Sequence, residues 1–305
     1  MSGFIFESAP FPSCHASTLA EVGAGRFAAA WFGGTDEGAK DVQIWLSRFD
    51  GTWSPPAVVG TVGGVPCWNP VLFVTRPGEL ALWYKAGPSP ETWTGYVRRS
   101  GDGGVTWSNP DMLPAGFTGP VRAKPLALGG SHLLAGTSVE THRNWTAYVD
   151  YSEDAGRTWR RSNPIGGPTG FHQIQPALFR AAGGAVVALM RSRNPLKVCR
   201  AVSTDGGRTF GPAEPTGVVN PSAGIDVVRA ADGSVWMICN PVAIGRSPLS
   251  LLRSLDDGRT WTKVRDVESD PGEYSYPALI ETSDGKLAMT YTWRRKRIKF
   301  ETHTF

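Results

Sequence analysis

The chain has 305 residues, of which 41% are hydrophobic and 19% charged, with a formal net charge of +4, a balance that suits an ordinary folded protein and excludes wholesale disorder. So mild a basicity, without a contiguous basic stripe, argues against a nucleic-acid partner, and no run approaches the roughly 20 apolar residues of a membrane span. The N-terminus, Met-Ser-Gly-Phe-Ile-Phe-Glu, lacks the basic-then-apolar plan of a secretion signal, so a soluble, cytoplasmic protein is expected.

Twelve Trp, 37 Gly and 24 Pro suit many short strands joined by tight turns, and helix is scarcely suggested. Cys14, Cys67, Cys199 and Cys239 stand far apart, without the CxxC spacing of a structural zinc site, and are expected as reduced, buried thiols. Acids and histidines do not cluster at ligand spacing, so neither metal nor cofactor is expected.

In chain order, a strand-like segment at about residues 3–8 comes first, followed by the apolar run that holds Cys14-His15-Ala16 and by the Trp31-Phe-Gly-Gly turn. A degenerate segment, Ser47 to Trp53 (SRFDGTW), is then answered by four matches to the pattern S-x-D-x-G-x-T-aromatic. These are Ser100 to Trp107, Ser152 to Trp159, Ser203 to Phe210 and Ser254 to Trp261. The steps from serine to serine are 53, 52, 51 and 51 residues, a regularity that marks an internal repeat. Between the matches, short β-like runs alternate, such as Ala177 to Phe179, Ala185 to Met190 and Lys197 to Ser203. Four strands per repeat make one propeller blade, and about 51 residues per repeat predict six blades in a single domain spanning 1–305. The last repeat has no match of its own, so the N-terminal strand is expected to complete its sheet.

Each turn should be held by its own chemistry. The glycine permits positive φ, the Asp and Ser side chains bond turn amides, and the aromatic fills the space between sheets. The first residues of the innermost strands align as His15, Asn69, Lys124, Gln175, Asp226 and Tyr276. The loops between second and third strands carry Asp36 and Glu37, Lys85, Glu140 and His142, Arg191 and Arg193, Asn240 and Arg246, and Arg294, while Tyr274 lies in the last inter-blade loop. In a propeller these positions line one end of the axis. Several arginines there imply an anionic ligand, because guanidinium pairs bidentately with carboxylate, sulfate or phosphate. Trp68, Trp93 and Trp145 offer faces for a sugar, or packing between blades. The run Arg294, Arg295, Lys296, Arg297 and Lys299 reads as an alternating, solvated edge.

The repeated turns resemble the Asp-box, and the whole chain resembles the sialidase superfamily. Its phrases PSCHASTL, AWFGGTDEG, CWNPVLF, GIDVV and EYSYPALIETSDG look like the bacterial predicted neuraminidases with BNR repeats. The resemblance implies an exo-acting glycoside hydrolase that cleaves a terminal acidic sugar from an anionic oligosaccharide. By position, Tyr274 is similar to the nucleophilic tyrosine of that superfamily, Arg246 and Arg191 or Arg193 to its carboxylate-binding arginines, and Asp36 to its acid/base aspartate. Asn69, Lys85, Lys124, Glu140, Gln173, Gln175, Asp226 and Arg294 are the further substrate-binding candidates. Two departures stand out. His15 occupies the place of the first arginine, and the segment from His172 through Gln173 to Gln175 replaces the glutamate that activates the tyrosine. A histidine titrates near neutrality, so His15 with Tyr274 also suits a uronate-specific lyase or a rhamnosidase-type enzyme acting on glucuronate-linked glycans. A glycan-binding propeller without catalysis is the third reading.

Overall fold

The structure is a computed structural model that describes residues 1–167 and 170–305, and among these every regular element is a β-strand. The chain divides into two compact units, Met1–Val121 with Tyr276–Phe305, and Arg122–Ser275.

In chain order the strands are β1 (Ser2–Phe4), β2 (Ser13–Gly23), β3 (Arg26–Gly34), β4 (Gln43–Asp50), β5 (Thr52–Trp53), β6 (Ala57–Gly60), β7 (Cys67–Arg76), β8 (Glu79–Ala86), β9 (Thr94–Ser100) and β10 (Asp111–Met112). They continue as β11 (Leu126–Gly129), β12 (His132–Glu140), β13 (Trp145–Ser152), β14 (Arg160–Arg161), β15 (Gln173–Arg180), β16 (Val186–Ser192), β17 (Lys197–Ser203) and β18 (Glu214–Val219). The last are β19 (Asp226–Arg229), β20 (Val235–Cys239), β21 (Leu249–Ser254), β22 (Thr262–Glu268), β23 (Tyr274–Glu281), β24 (Leu287–Trp293) and β25 (Arg297–His303). They form six antiparallel sheets, the four-stranded blades of a β-propeller. Five run β7–β10, β11–β14, β15–β18, β19–β22 and β1-β25-β24-β23; in the remaining one, β2–β4, the outer place beside β4 is shared by β5 and β6.

In the first unit, β1 pairs with β25 from Ser2 opposite Glu301 to Phe4 opposite Lys299, so the N-terminal strand does complete the last sheet. It ends earlier than expected. Pro10 and Pro12 lack a ladder N–H, and Ile5, Phe6 and Phe11 turn inward to pack with Trp31. The inner strands are buried on both faces, which removes the simple alternation of a one-sided sheet. Ala28 to Phe32, for example, are all enclosed. Phe32, Ile44, Leu72, Leu82 and Tyr84 form one core of this unit; in the second unit Phe179, Leu189, Ile225 and Met237 form another.

The repeated turns close as their chemistry predicts. Around Asp205, the Ser203 hydroxyl donates to the carboxylate at 2.7 Å, as do the Arg208 amide at 3.0 Å and the Thr209 amide at 2.9 Å, and the Thr209 hydroxyl reaches the second oxygen at 2.6 Å. Gly207 has φ +87°, and a Cβ there would stand 2.6 Å from the Leu134 side chain, so only glycine fits. Asp102, Asp154 and Asp256 organise the same clasp. In SRFDGTW no such clasp forms, and the turn is instead the tight link between β4 and β5 at Gly51.

Candidate functional site

The site residues are set by a bulge near the start of the inner strands. The β2–β3, β7–β8 and β15–β16 ladders all shift register there, between His15 and Thr18, Trp68 and Val71, and Ile174 and Ala177. Within these shifts Ala16, Asn69 and Gln175 have positive φ, as has Tyr276 on β23. The next residues include Pro70, Pro176 and Pro277, tolerated where the ladder skips a hydrogen bond. This corrects the sequence alignment by one place. Ala16, not His15, is equivalent to Asn69 and Gln175, and His15 shares the level of Trp68 and Ile174. A one-residue step reverses the face a side chain presents.

In the first unit, His15 is buried. Its Nδ1 lies 3.0 Å from the Thr292 hydroxyl, which also accepts the Ala16 amide at 3.2 Å. The imidazole packs with its centroid 4.2 Å from the Tyr276 ring and 5.6 Å from Phe32. Tyr276 is half-buried, whereas Tyr274 is fully enclosed. Lys85 lies within β8 rather than in a loop, with no exposed surface, and its ammonium donates to the carbonyls of Asn69 and Pro120. Asn69 is buried at the bulge. Asp36 lies exposed in the loop after β3, accepting the Glu37 amide at 2.8 Å, and Glu37 pairs with Arg295 at 2.5 Å. Trp68 bonds the Gly87 carbonyl at 2.8 Å and meets Trp93 edge-on at 6.3 Å, so its indole serves packing. Arg294 is exposed, stacked 4.7 Å from the Trp293 ring centroid.

In the second unit, Arg191 is the last residue but one of β16, opposite Ile174. Its Nη1 donates to Gln175 Oε1 at 3.3 Å and its Nε to the Ser222 hydroxyl at 3.4 Å, and its guanidinium lies 5.3 Å from the Trp145 ring centroid. Arg193 stands over the same indole at 5.0 Å and donates to the Arg143 carbonyl. Glu140, at the end of β12, is the cross-strand partner of Trp145 and accepts the Ser138 hydroxyl at 3.2 Å. Burial pushes its carboxyl above the usual range, against the opposing pull of the Arg191 charge and the Ser138 hydrogen bond.

Lys124 donates to both oxygens of Asp226 at 3.2 Å and to the Val227 carbonyl at 2.8 Å. Burial lowers its pKa; the Asp226 charge opposes this and Arg122 adds to it. Gln173 is buried, and its amide donates to the Ser192 hydroxyl at 3.2 Å. Asn240 is a brace, its amide nitrogen lying 2.9 Å from the carbonyls of both Arg246 and Tyr274. Arg246 is half-buried and joins the segment before Tyr274 through a backbone bridge to Glu273.

Of the residues the sequence pointed to, the structure brings Arg191, Gln175 and Glu140 together and pairs Lys124 with Asp226. The sequence reading passed over Ser222 and Thr292, which no local pattern marks. Among the described residues, no three His, Cys, Asp or Glu side chains converge as a metal centre would require.

Comparison with known proteins gives the chain its relatives. It is 28% identical over 220 residues to a sialidase of Micromonospora viridifaciens, a match covering 64% of this chain and 33% of that one, so the chain spans about a third of the length of this curated relative. Its fold is similar to the Hadza microbial sialidase Hz136, with a TM-score of 0.80 at 17% identity over 96% of this chain and 66% of that one. NanB sialidase of Streptococcus pneumoniae gives 0.83 at 13% identity, over 99% and 70% of the two chains. A Dyadobacter fermentans protein of unknown function gives 0.81 at 17%, over 99% and 97%. The sequence profile of the BNR repeat-like domain matches residues 25–289, most of the chain, and the chain belongs to that family.

Proposed function

We propose that the chain is a sialidase-like, exo-acting glycoside hydrolase that removes a terminal acidic sugar from an oligosaccharide. The observation that carries this reading is the Arg191 group. Gln175 and Ser222 orient the guanidinium through neutral oxygens, while the Trp145 face and Arg193 lie alongside. A fixed guanidinium beside an aromatic face suits a sugar carboxylate, which it grips bidentately while the indole covers the apolar side of the ring. The family membership and the sialidase relative support the same substrate class.

A second reading rests on His15 and Tyr276. A histidine packed 4.2 Å from a half-buried tyrosine suits proton abstraction beside a uronate carboxylate, with the phenol protonating the leaving oxygen, which is β-elimination. Product analysis separates the two. The protein is incubated with sialosides and with glucuronate-containing oligosaccharides, and the products are followed by mass spectrometry and ultraviolet absorbance. Release of an intact nonulosonic acid, lost in Arg191→Met, supports the hydrolase. An unsaturated uronate, lost in His15→Asn and in Tyr276→Phe, supports the lyase. Binding without turnover in any of these would leave a glycan-binding propeller and refute both.

A further inference from the structure

We infer that Glu140 is the general acid of this site, donating the proton that the departing glycosidic oxygen requires. The inference rests on the reading of Arg191 as the grip on the sugar carboxylate, and it narrows the substrate to sugars that carry that carboxylate on the anomeric carbon itself. In such a 2-ulosonic acid, two bonds of about 1.5 Å separate the carboxylate carbon from the leaving oxygen, so whatever holds the one brings the other within reach of the same few side chains. In a uronate four bonds separate the carboxylate carbon from the leaving oxygen, through C5, the ring oxygen and the anomeric carbon, twice as many as in a 2-ulosonic acid. An acid placed directly beside the carboxylate grip therefore suits the first class better than the second.

Glu140 has that placement. It closes β12 opposite Trp145, whose ring carries the Arg191 guanidinium, and Ser138 fixes one of its oxygens at 3.2 Å. Burial favours its neutral form, which is the form an acid needs, and the Arg191 charge restrains the shift instead of removing it. The other charged and titratable groups on the segments packed here are Arg193 beyond β16, His172 before β15, and His142 and Arg143 in the β12–β13 turn. None of them is a carboxylate, so none pushes the carboxyl upward as a neighbouring negative charge would. Asp36, which the sequence pointed to for this role, holds its carboxylate in solvent, bonded to its own turn.

The step balances as hydrolysis. The bond from the anomeric carbon to the aglycone oxygen breaks with its electron pair on that oxygen, which takes the Glu140 proton. Water then supplies hydroxide to the sugar and returns a proton to the Glu140 carboxylate.

Leaving-group dependence tests it. A 4-nitrophenyl ketoside of N-acetylneuraminic acid releases a phenolate that needs little protonation, whereas 3′-sialyllactose releases a sugar hydroxyl that needs it. Glu140→Gln should lower kcat/KM for sialyllactose by roughly 100-fold or more and for the aryl ketoside by less than about 10-fold, and should abolish the alkaline limb of the pH profile. Glu140→Asp should restore part of the activity and of that limb, with the melting temperature of each variant confirming its fold. Equal losses on both substrates, or no loss, overturn the inference while leaving the hydrolase reading standing. So does finding the leaving-group split in Asp36→Asn instead. Wild-type protein that cleaves neither sialoside overturns the hydrolase reading and, with it, this one.

Discussion

Removing the arginine from the Asp150–Arg161 pair should destabilise the second unit more than any loss of surface charge would. Asp150 is fully buried in β13, and its two oxygens receive Nε and Nη2 of Arg161 at 2.7 and 3.0 Å, a bidentate geometry across the β13–β14 ladder. Burial pushes the carboxyl up and the Arg161 hydrogen bonds and charge pull it back, so Arg161→Met leaves an enclosed carboxylate without its cation. Breaking such a pair costs about 3–5 kcal/mol, and the 23% exposure of the Arg161 side chain, which admits some water, places the expectation near the lower end, about 3 kcal/mol. With a urea dependence of roughly 3 kcal/mol per molar, the midpoint of tryptophan-monitored unfolding should fall by about 1 M at pH 8. The sign with pH follows from a folded pKa raised above its unfolded value. The protonated form is the one the fold tolerates, so the deficit should shrink as pH falls toward about 4, where both states bind the proton. Adding Asp150→Asn to Arg161→Met should recover about half of the loss, because the uncompensated charge is gone. A midpoint shift below about 0.3 M for Arg161→Met, or no recovery in the double variant, would refute the account of Asp150 as a charge that depends on its partner.

Two other outcomes follow from the site and the turns. Lys85→Met should lower the melting temperature, since it strips the donor from the carbonyls of Asn69 and Pro120 at a cost of about 1–3 kcal/mol, while KM for an acidic sugar stays unchanged because the ammonium is enclosed; a raised KM with unchanged stability would return Lys85 to the ligand. In the turn carboxylates, the Thr209 hydroxyl and amide and the Ser203 hydroxyl hold Asp205 at about 2, and similar bonds, working against burial, hold Asp154 and Asp256 at about 2. Their contribution to stability is therefore complete above about pH 4, the unfolded carboxylate range, and lost as pH falls toward about 2. Circular dichroism against pH should show acid unfolding beginning below about pH 4, and Asp205→Asn with Asp256→Asn should flatten that transition; an unaltered acid curve would show that these clasps do not set it.

The sequence by itself determined the fold and its bookkeeping. Four S-x-D-x-G-x-T-aromatic turns at steps of 51 to 53 residues can be read without coordinates, because each is a local device. The serine, aspartate, glycine and threonine that make one clasp lie within seven residues, so their chemistry appears in one short word of the chain. The pairing of the N-terminal strand with the last sheet followed from the one repeat that lacked such a word. Tertiary structure alone decided which side chains reach the site. The bulges that displace His15 from the level of Asn69 and Gln175 are register events between strands, and a shift of one residue exchanges the face presented. Lys85 and Arg191 occupy equivalent levels of β8 and β16, opposite Trp68 and Ile174, yet one is sealed against carbonyls and the other stands beside Trp145 and Glu140. Likewise, Tyr274 is enclosed and Tyr276 half-buried, two residues apart in a strand. Burial, and the balance between burial and a neighbouring charge that raises Glu140, depend on residues distant in sequence, and only the packed sheets bring those together.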